Sequence, residues 1–311
     1  TWITRIKTET CTLKKMKKYY TRACNFFYGS NSSHLIKKKL ALPLGGDHSI
    51  SFDSVEIFTR DKKKVRSHII HLKNIHKLNP IIKKKTLQDL KKITAKRTFI
   101  KEKSHIIMGI LNMTPDSFSD GGKFNSAKRA EKRILNMKKA GADIIDVGGE
   151  STRPGSKIIP PNKELKRVKK IIEKFKKKFP KTLLSIDTRK SVVMDYSIEN
   201  NVDIINDISC FKFDPKSFSS IKNKNLWKII HHMQGTPQTM QINPLYNHAL
   251  LDIYDFFENE IKKFKKDRHN RKIILDPGIG FGKNLKHNLM ILNKISLFHS
   301  LGFPILIGTS R

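Results

Sequence analysis

His105 to Phe124 reads HIIMGILNMTPDSFSDGGKF. Ile106 to Leu111 is a short apolar run, the signature of a buried strand. The run breaks into Asn112, Thr114, Pro115, Asp116, Ser117, Ser119, Asp120 and the pair Gly121-Gly122, which is loop chemistry. A helical pattern begins near Ser126. Strand, polar loop and helix make one βα unit, with carboxylates and an amide where the strand ends. Such an edge can hold a metal and a charged ligand, although turn chemistry alone also produces polar loops.

The unit repeats. Apolar runs recur at Ile144-Val147, Leu183-Ile186, Ile204-Ile205, Ile229-Ile230, Ile273-Leu275 and Ile305-Ile307. Amphipathic segments lie between them, near Ala127-Ala140, Glu164-Phe179, Ser191-Asn200, Ala249-Asp267 and His287-Ser300. Alternating strands and helices imply βαβ units and a parallel sheet. The expected class is α/β, a (β/α)8 TIM barrel that is incomplete, with about seven strands. An open doubly wound sheet is the alternative. Residues 1–104 form an N-terminal extension of unknown structure and function, and residues 105–311 form the barrel.

A barrel places its functional residues just after each strand. Here the runs lead into Asn112, Asp146 with GGESTRPGS, Asp187-Thr188-Arg189, Asn206-Asp207, His231-His232, DPGIGFGK and Gly308-Thr309-Ser310-Arg311. Asp187, Asn206 and Asp276 would converge from three strands. Two carboxylates and an amide suit a flat heterocycle with several N–H donors and a ring carbonyl. Asn112, Asp120 and Arg153 lie on the first two loops. Amide and carboxylate oxygens suit Mg2+ beside a phosphate, and a guanidinium suits phosphate or carboxylate oxygens. GIGFG lacks the spacing of a dinucleotide fingerprint. His231 and His232 have no third zinc ligand at useful spacing and read as strand-exit residues.

Composition bounds the rest. Of 311 residues, 63 are Lys or Arg and 27 are Asp or Glu, a net charge of +36. A basic chain can bind nucleic acid. These lysines are scattered, and no recognition module accompanies them. Abundant Lys, Ile and Asn fit the composition of an A/T-rich genome, so no nucleic-acid partner is expected. No apolar run approaches the roughly 18 residues of a membrane span. The basic N-terminus has no apolar h-region. A cytoplasmic location is expected, with organelle import left open. Three cysteines without a CxxC pair indicate a reducing compartment. The chain starts at Thr1 and stops directly after an apolar run, so both ends are expected to be cut.

In the first hundred residues, LGGDHSIS at Leu44 to Ser51 resembles a manganese-binding stretch of arginase-like ureohydrolases. The further Asp/His clusters of those enzymes are missing, and a turn is expected there. Arg66 to Leu90 resembles the tail of a hydroxymethyldihydropterin pyrophosphokinase, with no catalytic residue in the shared stretch.

MGILNMTPDSFSDGG, GADIIDVGGESTRPGS, SIDTRK, INDIS, HMQGTPQTM, DPGIGFGKNLKHN and GTSR, in this order and at these separations, resemble the dihydropteroate synthase family over about Ile106 to Arg311. The resemblance implies a TIM barrel of folate synthesis and a sulfonamide target. Its members join p-aminobenzoate to a dihydropterin methyl diphosphate and release diphosphate. It implies that Asn112 coordinates Mg2+ on the diphosphate, and that Asp187, Asn206 and Asp276 hold the pterin. Thr152 and Arg153 on the second loop, and Phe118 and Asp120 on the first, would close over diphosphate and p-aminobenzoate. Phe281 would pack near the p-aminobenzoate. Asp187, Asp120 and Arg153 are the catalytic candidates. Members are often dimeric, so a homodimer is open. They also continue with a Lys after Ser-Arg and an eighth strand ending in Arg-x-His, so the chain is expected to be C-terminally truncated. The position before His232 is often Met in members and is His231 here. A methyltetrahydrofolate-dependent methyltransferase shares the pterin triad but not the SFSDGG and ESTRPGS loops. A basic nucleic-acid-binding protein with a decayed barrel is the alternative from another class.

Overall fold

The computed structural model describes residues 17–97, 105–114, 123–153, 155–264, 267–269 and 271–309. Phe118 and Asp120 fall outside them. Six parallel strands form the larger sheet: β5 (Met108–Asn112), β6 (Ile144–Gly148), β7 (Leu183–Asp187), β8 (Ile204–Asp207), β9 (Trp227–His231) and β10 (Ile273–Asp276). Their spatial order is their chain order, β10-β9-β8-β7-β6-β5. A doubly wound sheet would reverse direction at a switch point. An unbroken sequential order is the winding of a (β/α) barrel. The seventh apolar run contributes a single parallel bridge, Leu275 with Ile305. The barrel is incomplete among the described residues.

Successive strand residues face opposite ways, and that parity sorts the apolar residues into two cores. Ile144, Ile204, Ile229 and Ile274 pack with Met108, Leu183 and Trp227 inside the curved sheet. Leu111, Ile145, Val147, Leu184, Ile186, Ile205, Ile230, Ile273 and Leu275 face outward. They meet the helices α3 (Lys123–Lys139), α4 (Pro161–Lys178), α5 (Ser191–Glu199), α7 (Ala249–Lys263) and α8 (Leu285–Asn293). The short helix α6 (Ser217–Ile221) was not expected from periodicity. The expected helix His287-Ser300 is two pieces, α8 and a 3-10 turn at Ile295–Leu301. Asn284 starts α8 by accepting the His287 N–H, and the His287 ring accepts the Asn284 N–H in return.

The N-terminal stretch, which carries no clean periodicity, builds an antiparallel sheet. β1 (Lys18–Tyr28), β2 (Leu42–Leu44) and β4 (Lys64–His71) all pair with the long β3 (Asp47–Asp61). Helices α1 (Gly29–Lys37) and α2 (Pro80–Thr94) accompany it. Within the GGDH string, Gly45-Gly46 make the turn between β2 and β3, and Asp47 and His48 begin β3. Ala23, Phe52, Val55, Ile57, Ile75, Leu90 and Ile93 make its own small core. Tyr20 and Phe58, opposite one another on β1 and β3, join the barrel core instead. The Tyr20 ring meets Tyr254 of α7 edge-on at 5.1 Å.

Lys228 on β9 is fully buried, its Nζ 3.0 Å from the buried Asp267 carboxylate and 3.1 Å from the Lys224 carbonyl. Removing one member of a buried pair strands the other, which costs about 3–5 kcal/mol. Asp267→Ala is therefore expected to lower unfolding free energy in urea by about 3 kcal/mol. The double variant Lys228→Met/Asp267→Leu should recover most of the loss.

Candidate functional site

Parallel pairing sets Asn112, Gly148, Asp187 and Asn206 side by side in one row across β5 to β8. All four share the inward parity and sit at the carboxyl ends of their strands. Gly148 lies between two polar side chains of the row. A Cβ there would lie 3.6 Å from Asn112 Oδ1 and 3.5 Å from Asp187 Oδ2. Sequence reasoning placed Asn112 after its strand; it is the strand's last residue.

One layer deeper, Asp146 accepts a hydrogen bond from Asn206 Nδ2 at 3.1 Å. Its register partner on β7 is Ser185. Burial raises the Asp146 pKa, against the hydrogen bond from Asn206, and the Asp276 charge raises it further. Asp187 is also shifted well above the carboxylate range, first by burial and then by Asp146, Glu164 and Asp207, with Arg189 opposing. Asp146 Oδ1, Asn206 Oδ1 and Ser185 Oγ are buried with no protein hydrogen-bond partner. Buried polar atoms without partners cost free energy. A planar ligand rich in N–H and N acceptors would satisfy them.

Asp276 ends β10. Its Oδ1 accepts the Gly278 N–H at 2.7 Å, and its Oδ2 lies 3.3 Å from His231 Nδ1. The His231 ring in turn meets Phe281 edge-on at 4.6 Å. Asp276, His231 and Phe281 thus form one cluster on the far side of the row. The turn that carries Phe281 requires glycine. Gly278 and Gly282 have φ of +65° and +62°, and a Cβ would sit 2.1 Å from the His232 carbonyl oxygen and 2.4 Å from that of Gln234. Lys283 locks this turn from beneath. Its buried Nζ donates to the carbonyls of His232, Gly278 and Phe281 at 3.2, 2.8 and 2.8 Å, and lies 3.0 Å from His232 Nδ1. Burial pushes the Lys283 pKa down to about 7, with Asp276 opposing.

The second loop is pinned at its base. Glu150 Oε1 accepts the Ile159 N–H at 3.0 Å and the Lys190 ammonium at 2.8 Å. Its Oε2 accepts Arg189 at 2.6 Å. Lys190 also reaches Glu164, which holds Thr188 Oγ1 at 2.6 Å. Burial alone would raise Glu150, but Lys190 and Arg189 hold it below its ordinary value. Farther out, the Gly155 N–H reaches the Pro237 carbonyl at 3.2 Å and Gln238 Nε2 reaches that of Ser156 at 2.8 Å. Thr152 is half-buried and Arg153 is exposed between these anchors.

The structure therefore brings Asn112, Asp187 and Asn206 into one row and puts Asp276 and Phe281 in the neighbouring cluster. Sequence reasoning counted Asp146, His231 and Lys283 among the strand-exit residues without giving them a ligand, and it did not single out Ser185. Strand parity is the signal for Asp146 and Ser185, which precede Gly148 and Asp187 by two residues. The described residues contain no group of three or more His, Cys, Asp or Glu side chains able to hold a metal ion.

The family model for pterin binding enzymes matches residues 108–311. A dihydropteroate synthase from Escherichia coli K12 is 42% identical over 206 residues, covering 66% of this chain and 72% of that protein. The crystal structure of the Clostridium difficile dihydropteroate synthase in the presence of pteroic acid has a TM-score of 0.62 at 38% identity, covering 69% of this chain and 79% of the other. That of the Xanthomonas albilineans enzyme with 4-aminobenzoic acid has a TM-score of 0.61 at 33% identity, covering 66% and 73%.

Lys283 makes a pH prediction. A lysine whose folded pKa is depressed binds fewer protons when folded than when unfolded, between about pH 7 and the ordinary lysine range. Stability contributed by this residue rises with pH across that window. Urea titrations from pH 6.5 to 9.5 should show a steeper rise for wild type than for Lys283→Met. Parallel curves would place the Lys283 pKa near its ordinary value.

Proposed function

The chain belongs to the pterin binding enzyme family, and we infer that it is a dihydropteroate synthase of folate biosynthesis. It condenses p-aminobenzoate with 6-hydroxymethyl-7,8-dihydropterin diphosphate, giving 7,8-dihydropteroate and diphosphate. The observation that carries this reading is the inward row at the strand ends. Asp187 and Asn206 stand side by side in it, and Asp146 Oδ1 and Asn206 Oδ1 are buried acceptors that no protein donor satisfies.

The pterin's amino-pyrimidine N–H groups suit the carboxylates of Asp187 and Asp276, and the Asn206 amide both donates and accepts. Asp146 supports Asn206 from below through the 3.1 Å bond that its carboxylate accepts. In the reaction the p-aminobenzoate nitrogen forms a bond to the pterin methylene carbon. The bond from that carbon to the diphosphate oxygen breaks, the diphosphate takes the electron pair, and the amine loses a proton. Positive charge develops on the pterin methylene, and the carboxyl groups that hold the ring would stabilise it. No protein nucleophile is required.

The residues fit a hard divalent cation, for which Mg2+ is our assignment. Asn112 Oδ1 is a hard oxygen donor at the rim, and Mg2+ commonly takes few protein ligands together with substrate phosphates and water. When bound, the ion would neutralise the diphosphate and improve it as a leaving group. Thr152 and Arg153 stand on the anchored second loop, where Arg153's exposed guanidinium can reach phosphate or carboxylate oxygens. Asp120 and Phe118 complete the proposal from the first loop. Phe281 presents its ring beside Asp276's cluster as a wall for p-aminobenzoate.

A dihydropteroate-forming assay with both substrates tests the reading; no product with Mg2+ present would end it. Asp187→Asn is expected to lose about 100-fold or more in kcat/KM, since positive charge developing on the pterin favours the ionised form of Asp187 and such stabilisation is worth about 3 kcal/mol. Its circular dichroism should match wild type, because Asp187 serves the ligand and not the core.

Asn112→Ala is expected to weaken binding of the pterin diphosphate more than that of the bare pterin, and only when Mg2+ is present. Calorimetric titration of both ligands, with and without the ion, measures this. Equal losses for both would place Asn112 on the ring instead.

A further inference from the structure

One side chain of the N-terminal sheet lies at the start of a continuous set of contacts that ends at the Phe281 turn. Arg60 stands near the end of β3, largely buried, and its guanidinium spans two carboxylates on the first turns of α7. Nη2 donates to Asp252 Oδ1, and Nη1 donates to Asp255 Oδ2 at 2.9 Å. The other Asp252 oxygen holds the loop that leads into α7. Oδ2 accepts the N–H groups of Asn247 at 2.9 Å and His248 at 3.0 Å. Arg60 thus orients a carboxylate whose free oxygen is the anchor of the 233–248 loop.

That loop grips the turn beyond β10. Tyr246 Oη donates to the Gly282 carbonyl at 2.8 Å, and Gln241 Nε2 donates to that of Gly280 at 2.8 Å. Gln234 stiffens the loop by pairing with both the N–H and the carbonyl of Leu245 at 2.8 Å. Phe281 lies between the two gripped carbonyls. Its position is therefore set partly by Tyr246, whose neighbours are the two amides that Asp252 holds.

We propose that Arg60 is a positioning residue of the synthase. By orienting Asp252 it fixes the 233–248 loop and, through Tyr246 and Gln241, the Phe281 wall of the p-aminobenzoate site. The kinetic half of this proposal rests on the synthase reading; the structural half does not.

Lys18 supplies the control. It donates to Asp255 at 2.6 Å and Glu258 at 2.7 Å, farther along the same helix, and makes no hydrogen bond or ion pair to Asp252 among the described residues. Lys18→Ala removes a similar tie without touching the loop anchor. In the full chain, Arg60→Ala is expected to raise KM for p-aminobenzoate roughly three- to tenfold, a coupling of ordinary size for contacts away from the ligand. KM for the pterin diphosphate should stay within about twofold. Tyr246→Phe should reproduce the effect, and Arg60→Ala/Tyr246→Phe should add little to either single change, because both act on one set of contacts. Lys18→Ala should lower Tm and leave both KM values unchanged. Amide hydrogen exchange gives the readout that needs no turnover. Arg60→Ala should speed exchange over 244–249 and 278–284, and Lys18→Ala should not. Unchanged exchange at 278–284 in Arg60→Ala, or full additivity with Tyr246→Phe, would overturn the proposal. Where Arg60→Ala fails to fold, Arg60→Lys and Tyr246→Phe carry the same exchange test. A wild-type chain that forms no dihydropteroate would remove the synthase reading and leave the exchange result to decide the coupling.

Discussion

Parallel hydrogen bonding between strands in chain order is the constraint on which the rest of this structure depends. It brings every strand end to one rim, and it brings residues far apart in the chain into one row. Asn112, Gly148, Asp187 and Asn206 are neighbours because Leu111, Val147, Ile186 and Ile205 are register partners in the core beneath. The apolar residues alternate with the polar ones, so the packing that stabilises the sheet also aims the polar side chains. Nothing about the site could shift by one residue without moving Ile and Val to the inside and carboxylates to the outer layer.

Buried charge is handled in two ways in this molecule. Away from the row, buried carboxylates meet cations. Lys228 meets Asp267, Lys190 meets Glu150 and Glu164, and Arg189 meets Glu150. Those pairs tie elements together, and in each the opposite charge offsets part of the desolvation. Asp146 instead leans on the neutral Asn206, and it is shifted upward by burial and by Asp276, as Asp187 is by burial and by Asp146. Asp146 Oδ1 is left with no protein donor at all, although the chain carries a net charge of +36.

Much of this was legible in the sequence, for an identifiable reason. A buried parallel strand is a short apolar run, and its exit is polar, so both runs and exits can be counted. Asn112, Asp187, Asn206 and Asp276 were found that way. The antiparallel sheet left no such trace. Its strands mix charged and polar residues with apolar ones, because β4 has a mostly exposed face and β1 begins at Lys18, which pairs with α7. The Arg60 contact to Asp252 spans 192 residues, and no periodicity reports a tie of that kind. The split of the last expected helix came from Lys294, whose backbone leaves the helical region before the 3-10 turn begins.

The dipeptide Asn206-Asp207 shows how finely the rest is decided. Both residues are polar, adjacent and at the same strand exit, and composition treats them alike. Asn206 faces inward with Asp187 and reaches Asp146. Asp207 faces the other way and caps the following turn. It accepts the N–H groups of Ser209 and Phe211 at 2.7 and 3.0 Å and the Ser209 hydroxyl at 2.6 Å. Its hydrogen-bonding capacity is spent on its own chain, whereas Asn206 Oδ1 has no protein partner. A polar residue at a barrel rim is therefore not a site residue by virtue of its position alone. Parity has to aim it inward, and the local backbone has to leave an atom unsatisfied. Asp146 and Ser185 meet both conditions one layer below the row, which puts them in the same inward set as Asp187 and Asn206.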